Sequence, residues 1–326
     1  MPFRLLCCDG GGIRGIMTAM LIADLDASYG IIGSANGFAG TSTGGLIALA
    51  LANQVDVETI YNTYLNDGST IFTPNDWLVR PDSRVPPEMN TLGSGPGYLS
   101  CAYNNLGLGT VANELLGTTL LSDAPKFVAV NSAQLWDGTS WTATTLSNAS
   151  KNPFSGLTMA DAALATSAAP TYFPPYEING FGYFADGGLF ANNPTMAALA
   201  ELLQAGVPLS QISVISLGTG VSASGVQPSA IPDPLSWGTS TWMWPWASGG
   251  VPAMSLMNLM FDATEQAATA QSQQILGANI ARGNVPLPQP FALDDWEDVQ
   301  TLVGYANSYM QSAEWQLIRN WVANNW

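Results

Sequence analysis

The sequence predicts an α/β protein built around a central, mostly parallel sheet, and three observations carry that prediction. A short apolar strand, a glycine-rich turn and an apolar helix follow one another twice within the first fifty residues. That order lays parallel strands side by side. A further buried strand over 212–217 runs into Gly218-Thr219-Gly220, and helical spacing recurs between and after the strands.

In order along the chain, Phe3–Cys8 is an apolar run that ends in Asp9 and three glycines, the pattern of a buried strand leading into a loop. Met17–Leu25 reads as a helix, 37–40 as a second strand end, and Leu46–Ala52 as a buried helix. Val57–Leu65 is expected to be helical, and Pro74–Gly97 is a Pro/Gly/Ser-rich excursion. The strands over 126–134 and 141–146 are joined through Asp137-Gly138, a strong hairpin signal. A short helix over 159–166 runs into Pro170, and a strand over 183–185 ends at Asp186-Gly187-Gly188 before a helix from about 195 to 204. Residues 221–252 form a loop rich in Pro, Ser, Gly and Trp. Met254, Met257, Phe261, Thr264 and Ala268 then recur every three or four residues, as on one face of a helix, and the tail over 294–326 is also expected to be helical. No internal repeat or clean linker is visible.

Composition narrows the function. With 8 Lys+Arg against 24 Asp+Glu the chain carries −16, although charged residues total only 10%. The imbalance reflects scarce bases, and without clustered Lys and Arg a nucleic-acid partner is excluded and anionic bilayers are disfavoured. Cys7, Cys8 and Cys101 make no disulfide framework, and the first two read as buried thiols. No secretory leader is seen, and the longest apolar run falls far short of the ~18–20 residues of a membrane span. The expected location is cytoplasmic, with peripheral membrane contact allowed.

Three constellations bear on chemistry. The first, 9-DGGGIRG-15, fits G-x-G-x-x-G and so raises a dinucleotide-binding turn. That reading wants an acid near the end of the next strand, where Phe38-Ala39-Gly40 has none. The alternatives are a row of backbone N–H groups aimed at a developing oxyanion, or a tight turn in which Asp9 and Arg14 pair. The second is Gly40-Thr41-Ser42-Thr43-Gly44, a G-x-S-x-G turn of the kind that exposes a serine hydroxyl between strand and helix, with the Thr43 N–H as a further oxyanion donor. The chain contains no histidine, so a Ser-His-Asp triad is excluded and any base must be a carboxylate or a lysine. Lys126 and Lys151 stand in no motif. Asp186 does: strand ends on one edge of a parallel sheet collect in one crevice, where it would meet Ser42. The third is 236-SWGTSTWMWPWASGG-250, whose Trp237, Trp242, Met243, Trp244 and Trp246 suit either a lid or docking patch at a membrane–water interface or packing over the helix that follows.

These blocks, in this order, resemble the patatin-like phospholipase family: the loop D-G-G-G-x-R/K-G, the turn G-T-S-T-G and the D-G-G/A block all stand here, and 166-TSAAPTYFPP-175 is similar to the block before the aspartate. Residues 291–310 match the family's C-terminal helical region more loosely. The resemblance implies a three-layer α/β/α fold and a single catalytic domain over 1–326, with surface insertions at about 66–125 and 221–252. It implies a Ser–Asp dyad in which Ser42 is the nucleophile and Asp186 the base. Gly10, Gly11, Gly12 and Thr43 would form the oxyanion hole, with Asp9, Arg14, Gly15, Gly40, Gly44, Gly187 and Gly188 in support. The expected activity is lipid acyl hydrolysis of the phospholipase A or lysophospholipase type through an acyl-Ser42 intermediate, with no metal and no cofactor. An acyltransferase using the same dyad and a non-catalytic lipid-binding module are the alternatives. The expected partner is a lipid or ester substrate.

Overall fold

The computed structural model describes residues 2–75, 97 and 100–326. Most of the excursion read over 74–97 therefore lies outside the described residues. Eight strands form one sheet: β1 (Phe3–Cys8), β2 (Gly37–Thr41), β3 (Phe127–Gln134), β4 (Thr142–Ser147), β5 (Tyr176–Ile178), β6 (Gly182–Asp186), β7 (Ile212–Leu217) and β8 (Ile280–Gly283). Along the sheet the order is β5-β6-β3-β2-β1-β7-β8, with β4 also on β3. β3-β2-β1-β7-β8 are parallel throughout.

The register of β3 decides where the site forms. β2 pairs with Phe127–Asn131, and β4 pairs antiparallel with Ala129–Gln134, so the two occupy opposite edges of β3. β6 pairs antiparallel with Ser132–Gln134, a stretch whose other edge β4 already holds. It therefore continues the edge that β2 leaves at Asn131. The last residues of β2 and β6, Thr41 and Asp186, consequently meet head-on opposite consecutive residues of β3, Asn131 and Ser132. Asp186 is thus brought in by an antiparallel strand, which corrects the expectation that it ends a parallel strand beside that of Ser42.

Helices of eight residues or more are α1 (Gly15–Tyr29), α2 (Thr43–Ala52), α3 (Val57–Asn66), α4 (Asn105–Leu116), α5 (Met159–Thr166), α6 (Thr195–Gln204), α7 (Ser255–Leu276), α8 (Val299–Met310) and α9 (Ala313–Asn325). Side chains alternate across a strand, and the two faces of β1 show where the layers lie. Leu6 and Cys8 join Ile16, Ile22, Ile47 and Leu302 from α1, α2 and α8. Leu5 and Cys7 face Ala198, Leu199 and Leu202 of α6 and Leu276 of α7 on the other side. This is the three-layer α/β/α arrangement, and burial on both faces is why β1 and β7 read as mostly apolar runs. Cys7 and Cys8 are buried as expected, and burial pushes the Cys7 thiol up to about 12. No helix among the described residues is long and apolar enough to cross a membrane.

Candidate active site

Two glycine turns and one strand end converge at the C-terminal ends of β1 and β2. The backbone of Ser42 is held at φ 55°, ψ −125°, in a region that non-glycine residues seldom visit. Its N–H donates to Thr166 Oγ1 at 2.9 Å, and the Thr166 hydroxyl in turn donates to the Asn131 carbonyl of β3. The turn is tight enough that a Cβ on Gly40 would sit 2.0 Å from the Gly44 carbonyl oxygen, and one on Gly44 would sit 2.1 Å from that of Cys8. Only glycine fits at either place. α2 starts at Thr43, whose N–H, in the first turn, has no partner within the helix. The Thr43 hydroxyl is tied instead to Tyr64 Oη at 2.5 Å.

The Ser42 hydroxyl stands beside the Asp186 carboxyl, near enough to favour its ionised form. Asp186 is 2% exposed, and its Oδ1 also accepts the Gly188 N–H at 2.7 Å. Burial raises its pKa from 3.8 to about 7, and the hydrogen bonds from Ser42 and Gly188 only partly oppose that rise. A carboxylate of that basicity is half-ionised near neutral pH, the range in which a general base works best. Gly187 is pressed against Asn131 of β3, and Gly188 against Phe261 of α7.

The glycine loop closes the other side. Gly12 has φ 58°, and a Cβ there would sit 2.1 Å from the Leu293 carbonyl oxygen. Gly15 opens α1 against the Thr43 side chain. Among the described residues, the N–H groups of Gly11 and Gly12 have no hydrogen-bond acceptor. Gly10 differs: its N–H donates to the Asn192 carbonyl at 3.0 Å, which removes it from the expected oxyanion donors. Arg14 donates through Nε to the Gly11 carbonyl at 3.2 Å, but it does not pair with Asp9. The partner of Asp9 is Arg282 on β8, at 3.0 and 2.5 Å. No sequence motif marked Arg282 or Asn131, and Thr166 opened the 166-TSAAPTYFPP-175 block with no role assigned to it.

From Ser42 a pocket extends between Leu46, Ile71, Phe72, Leu108, Phe173 and Leu293, with Thr43, Tyr64, Ser167 and Tyr172 adding hydroxyls to its lining. None of the five residues Trp237, Trp242, Met243, Trp244 and Trp246 lines it. Trp237 packs edge-on against Trp242, and Trp244 against Trp246, with ring centroids 4.8 and 5.3 Å apart. Of these only Trp246, at 40%, is exposed.

The arrangement is a strained serine, a buried basic carboxylate, unpaired backbone donors and an apolar pocket. The sequence profile described as Patatin-like phospholipase matches residues 6–199. A cGAMP-activated phospholipase of Pseudomonas aeruginosa is 30% identical over 281 residues, covering 85% of this chain and 76% of that protein. One of Vibrio cholerae is 28% identical over 276 residues, 78% of this chain and 73% of the relative. Patatin-like protein 4 of Arabidopsis thaliana is 27% identical, over 78% of this chain and 68% of its own length. The chain belongs to the patatin-like phospholipase family.

Proposed function

We propose that the chain hydrolyses acyl esters of lipids through an acyl-serine intermediate. The observation that carries this reading is that Ser42, which lines a largely apolar pocket, stands beside the buried carboxyl of Asp186. Ser42 Oγ attacks the ester carbonyl while its proton passes to the Asp186 carboxylate. The carbonyl oxygen, now negative, is met by the N–H groups of Gly11, Gly12 and Thr43. Collapse of the tetrahedral intermediate breaks the bond to the leaving alcohol, which takes the proton from Asp186 and departs. Water then gives a proton to Asp186, attacks the acyl-Ser42 carbonyl, and releases the fatty acid as Ser42 recovers its proton. Preorganised donors of this kind strengthen as charge develops in the transition state, and each is worth roughly 10²–10³ in rate.

The substrate reading rests on the lining, where the large apolar side chains of Leu46, Ile71, Phe72, Leu108, Phe173 and Leu293 suit an acyl chain. The lipid is met at a neutral surface. Residues 221–260 contain one charged side chain, Asp233, in a chain of net charge −16. Leu235, Trp246, Leu256, Leu259 and Met260 are all exposed within that stretch. The docking surface we infer is therefore this wider segment, with Trp237, Trp242 and Trp244 as its support.

The test is trapping with an organophosphonate followed by peptide mass spectrometry, together with ester turnover by Ser42→Ala. We expect a single adduct on Ser42 and no turnover by the variant. An adduct on a different serine, or residual turnover of more than about 1% by Ser42→Ala, overturns the reading.

A further inference from the structure

Behind the glycine loop lies a buried charged network that the dyad chemistry does not use. Arg282 donates through Nη1 to Asp9 Oδ1 (3.0 Å) and Ser216 Oγ (2.9 Å), and through Nη2 to Asp9 Oδ2 (2.5 Å) and Glu265 Oε1 (2.6 Å). The side chains of Arg282 and Asp9 are 9% and 2% exposed. Glu265 Oε1 also accepts the Thr269 hydroxyl at 3.0 Å, and Asn193 Nδ2 donates to that hydroxyl at 2.9 Å. Asn193 directly follows Asn192, whose carbonyl takes the Gly10 N–H. Thr219 Oγ1 donates to the Gly10 carbonyl at 2.6 Å.

Four separate pieces of the fold thus meet on one guanidinium: the first loop, β7, α7 and β8. A fork that grips both oxygens of a carboxylate fixes its plane as well as its distance, which a lysine cannot do. Asp9 is the residue from which the Gly10–Gly12 backbone departs, so holding its carboxylate leaves that backbone little freedom to turn. A loop of consecutive glycines has no side chains of its own to limit such turning.

We propose that Arg282, acting through Asp9 and balanced by Glu265, is the positioning residue of the oxyanion loop. The proposal rests on the acyl-hydrolase reading and names the part of the machinery that keeps the Gly11 and Gly12 N–H groups aimed. Oxyanion contacts are realised in the transition state, so loosening them lowers kcat and leaves KM nearly unchanged.

The experiment compares Arg282→Met, Arg282→Lys and the triple variant Asp9→Asn/Glu265→Gln/Arg282→Met, each by thermal melting and by kcat and KM on a soluble chromogenic ester. Arg282→Met strands two carboxylates in the interior and is expected to melt early. The triple variant removes the stranded charges and is expected to melt within a few degrees of wild type. Its kcat nevertheless stays down ~100-fold, the scale of a lost oxyanion donor, with KM within twofold. Arg282→Lys keeps the charge but loses the fork, and its kcat is expected to fall between the two. Recovery of both melting temperature and kcat in the triple variant overturns the proposal, as does wild-type kcat in a folded Arg282→Lys. Failure of the underlying reading looks different: wild type itself then turns over no ester and Ser42 takes no phosphonate.

Discussion

Replacing Asp186 with Asn should abolish activity and yet stabilise the protein, increasingly so as pH rises. The native carboxyl binds its proton with a pKa of about 7, against 3.8 for an ordinary aspartate. A group whose native value is raised favours the native state at low pH, and that contribution is lost as pH climbs from about 4 through about 7. About three tenfold steps in proton affinity, at ~1.4 kcal/mol each, put the ceiling of the effect at ~4 kcal/mol. Asparagine has no charge to desolvate. Its Oδ1 can accept the Gly188 N–H, and its Nδ2 can donate to Ser42 Oγ, so both existing contacts have a replacement. The assay is urea unfolding of both proteins at half-unit steps from pH 4.5 to 8.5. The stability difference, variant minus wild type, is expected to widen by at least 2 kcal/mol across that range and to level off above pH 7.5. A difference that stays flat or narrows with pH would refute the claim that burial of Asp186 sets its basicity. Wild-type activity recovered in the variant would refute its role as base.

Other expectations follow from the same geometry. Because the base must be ionised, kcat/KM should fall about tenfold per pH unit below the Asp186 value near 7; a profile flat between pH 5 and 7 would separate Asp186 from the rate. Thr166→Val leaves the Ser42 N–H without its acceptor, a loss of ~1–3 kcal/mol, and should lower kcat/KM ~10–100-fold, whereas Thr166→Ser restores it; equal losses in both variants would count against a positioning hydroxyl. Leu108→Trp narrows the pocket and should cut turnover of long-chain p-nitrophenyl esters at least ~10-fold while sparing the acetate, since each methylene accommodated is worth roughly 1–3 kcal/mol; a uniform loss across chain lengths would place the acyl chain elsewhere. Changing Leu235, Trp246 and Leu259 together to Ser should reduce activity on neutral phosphatidylcholine vesicles ~10-fold and leave soluble esters unaffected, and parallel losses on both would dismiss the docking surface.

What was legible in the sequence was what depends on local pattern. β1 and β7 declared themselves because strands buried on both faces are predominantly apolar. The Ser42 turn and the Asp186 strand end declared themselves because glycine is obligatory where backbones nearly touch, as Gly40 and Gly44 do. The helices around Met17 and Thr195 were visible in their apolar content. What was hidden was long-range. Arg282 lies on a four-residue strand with no flanking motif, and its salt bridge to Asp9 spans most of the chain. Arg14, five residues from Asp9, was the nearer candidate and the wrong one. The Gly10 N–H was lost as an oxyanion donor for a similar reason, since only the folded chain brings the Asn192 carbonyl to it. The tryptophans suited either an interface or packing, and local pattern could not show that Trp237 packs on Trp242 and Trp244 on Trp246.

A serine served directly by a carboxylate makes a demand that a triad does not. With no imidazole between them, the two side chains must come from backbone positions close enough for one hydrogen bond. β3 meets that demand by register: Thr41 and Asp186 pair with neighbouring residues, one strand step of ~3.3 Å apart. The same register sets the chemistry, because successive strand residues point to opposite faces of a sheet. A slip of β6 by one residue would keep the sheet but turn the Asp186 carboxyl away from Ser42. Ser132 guards against this, its hydroxyl held by the carbonyls of Ala185 at 2.8 Å and Ala165 at 2.9 Å. Burial within the sheet also gives Asp186 its basicity, so position and pKa are not separate provisions. The strand pairing that brings the carboxylate to the serine is also what keeps water from it, and a histidine would be redundant in that geometry.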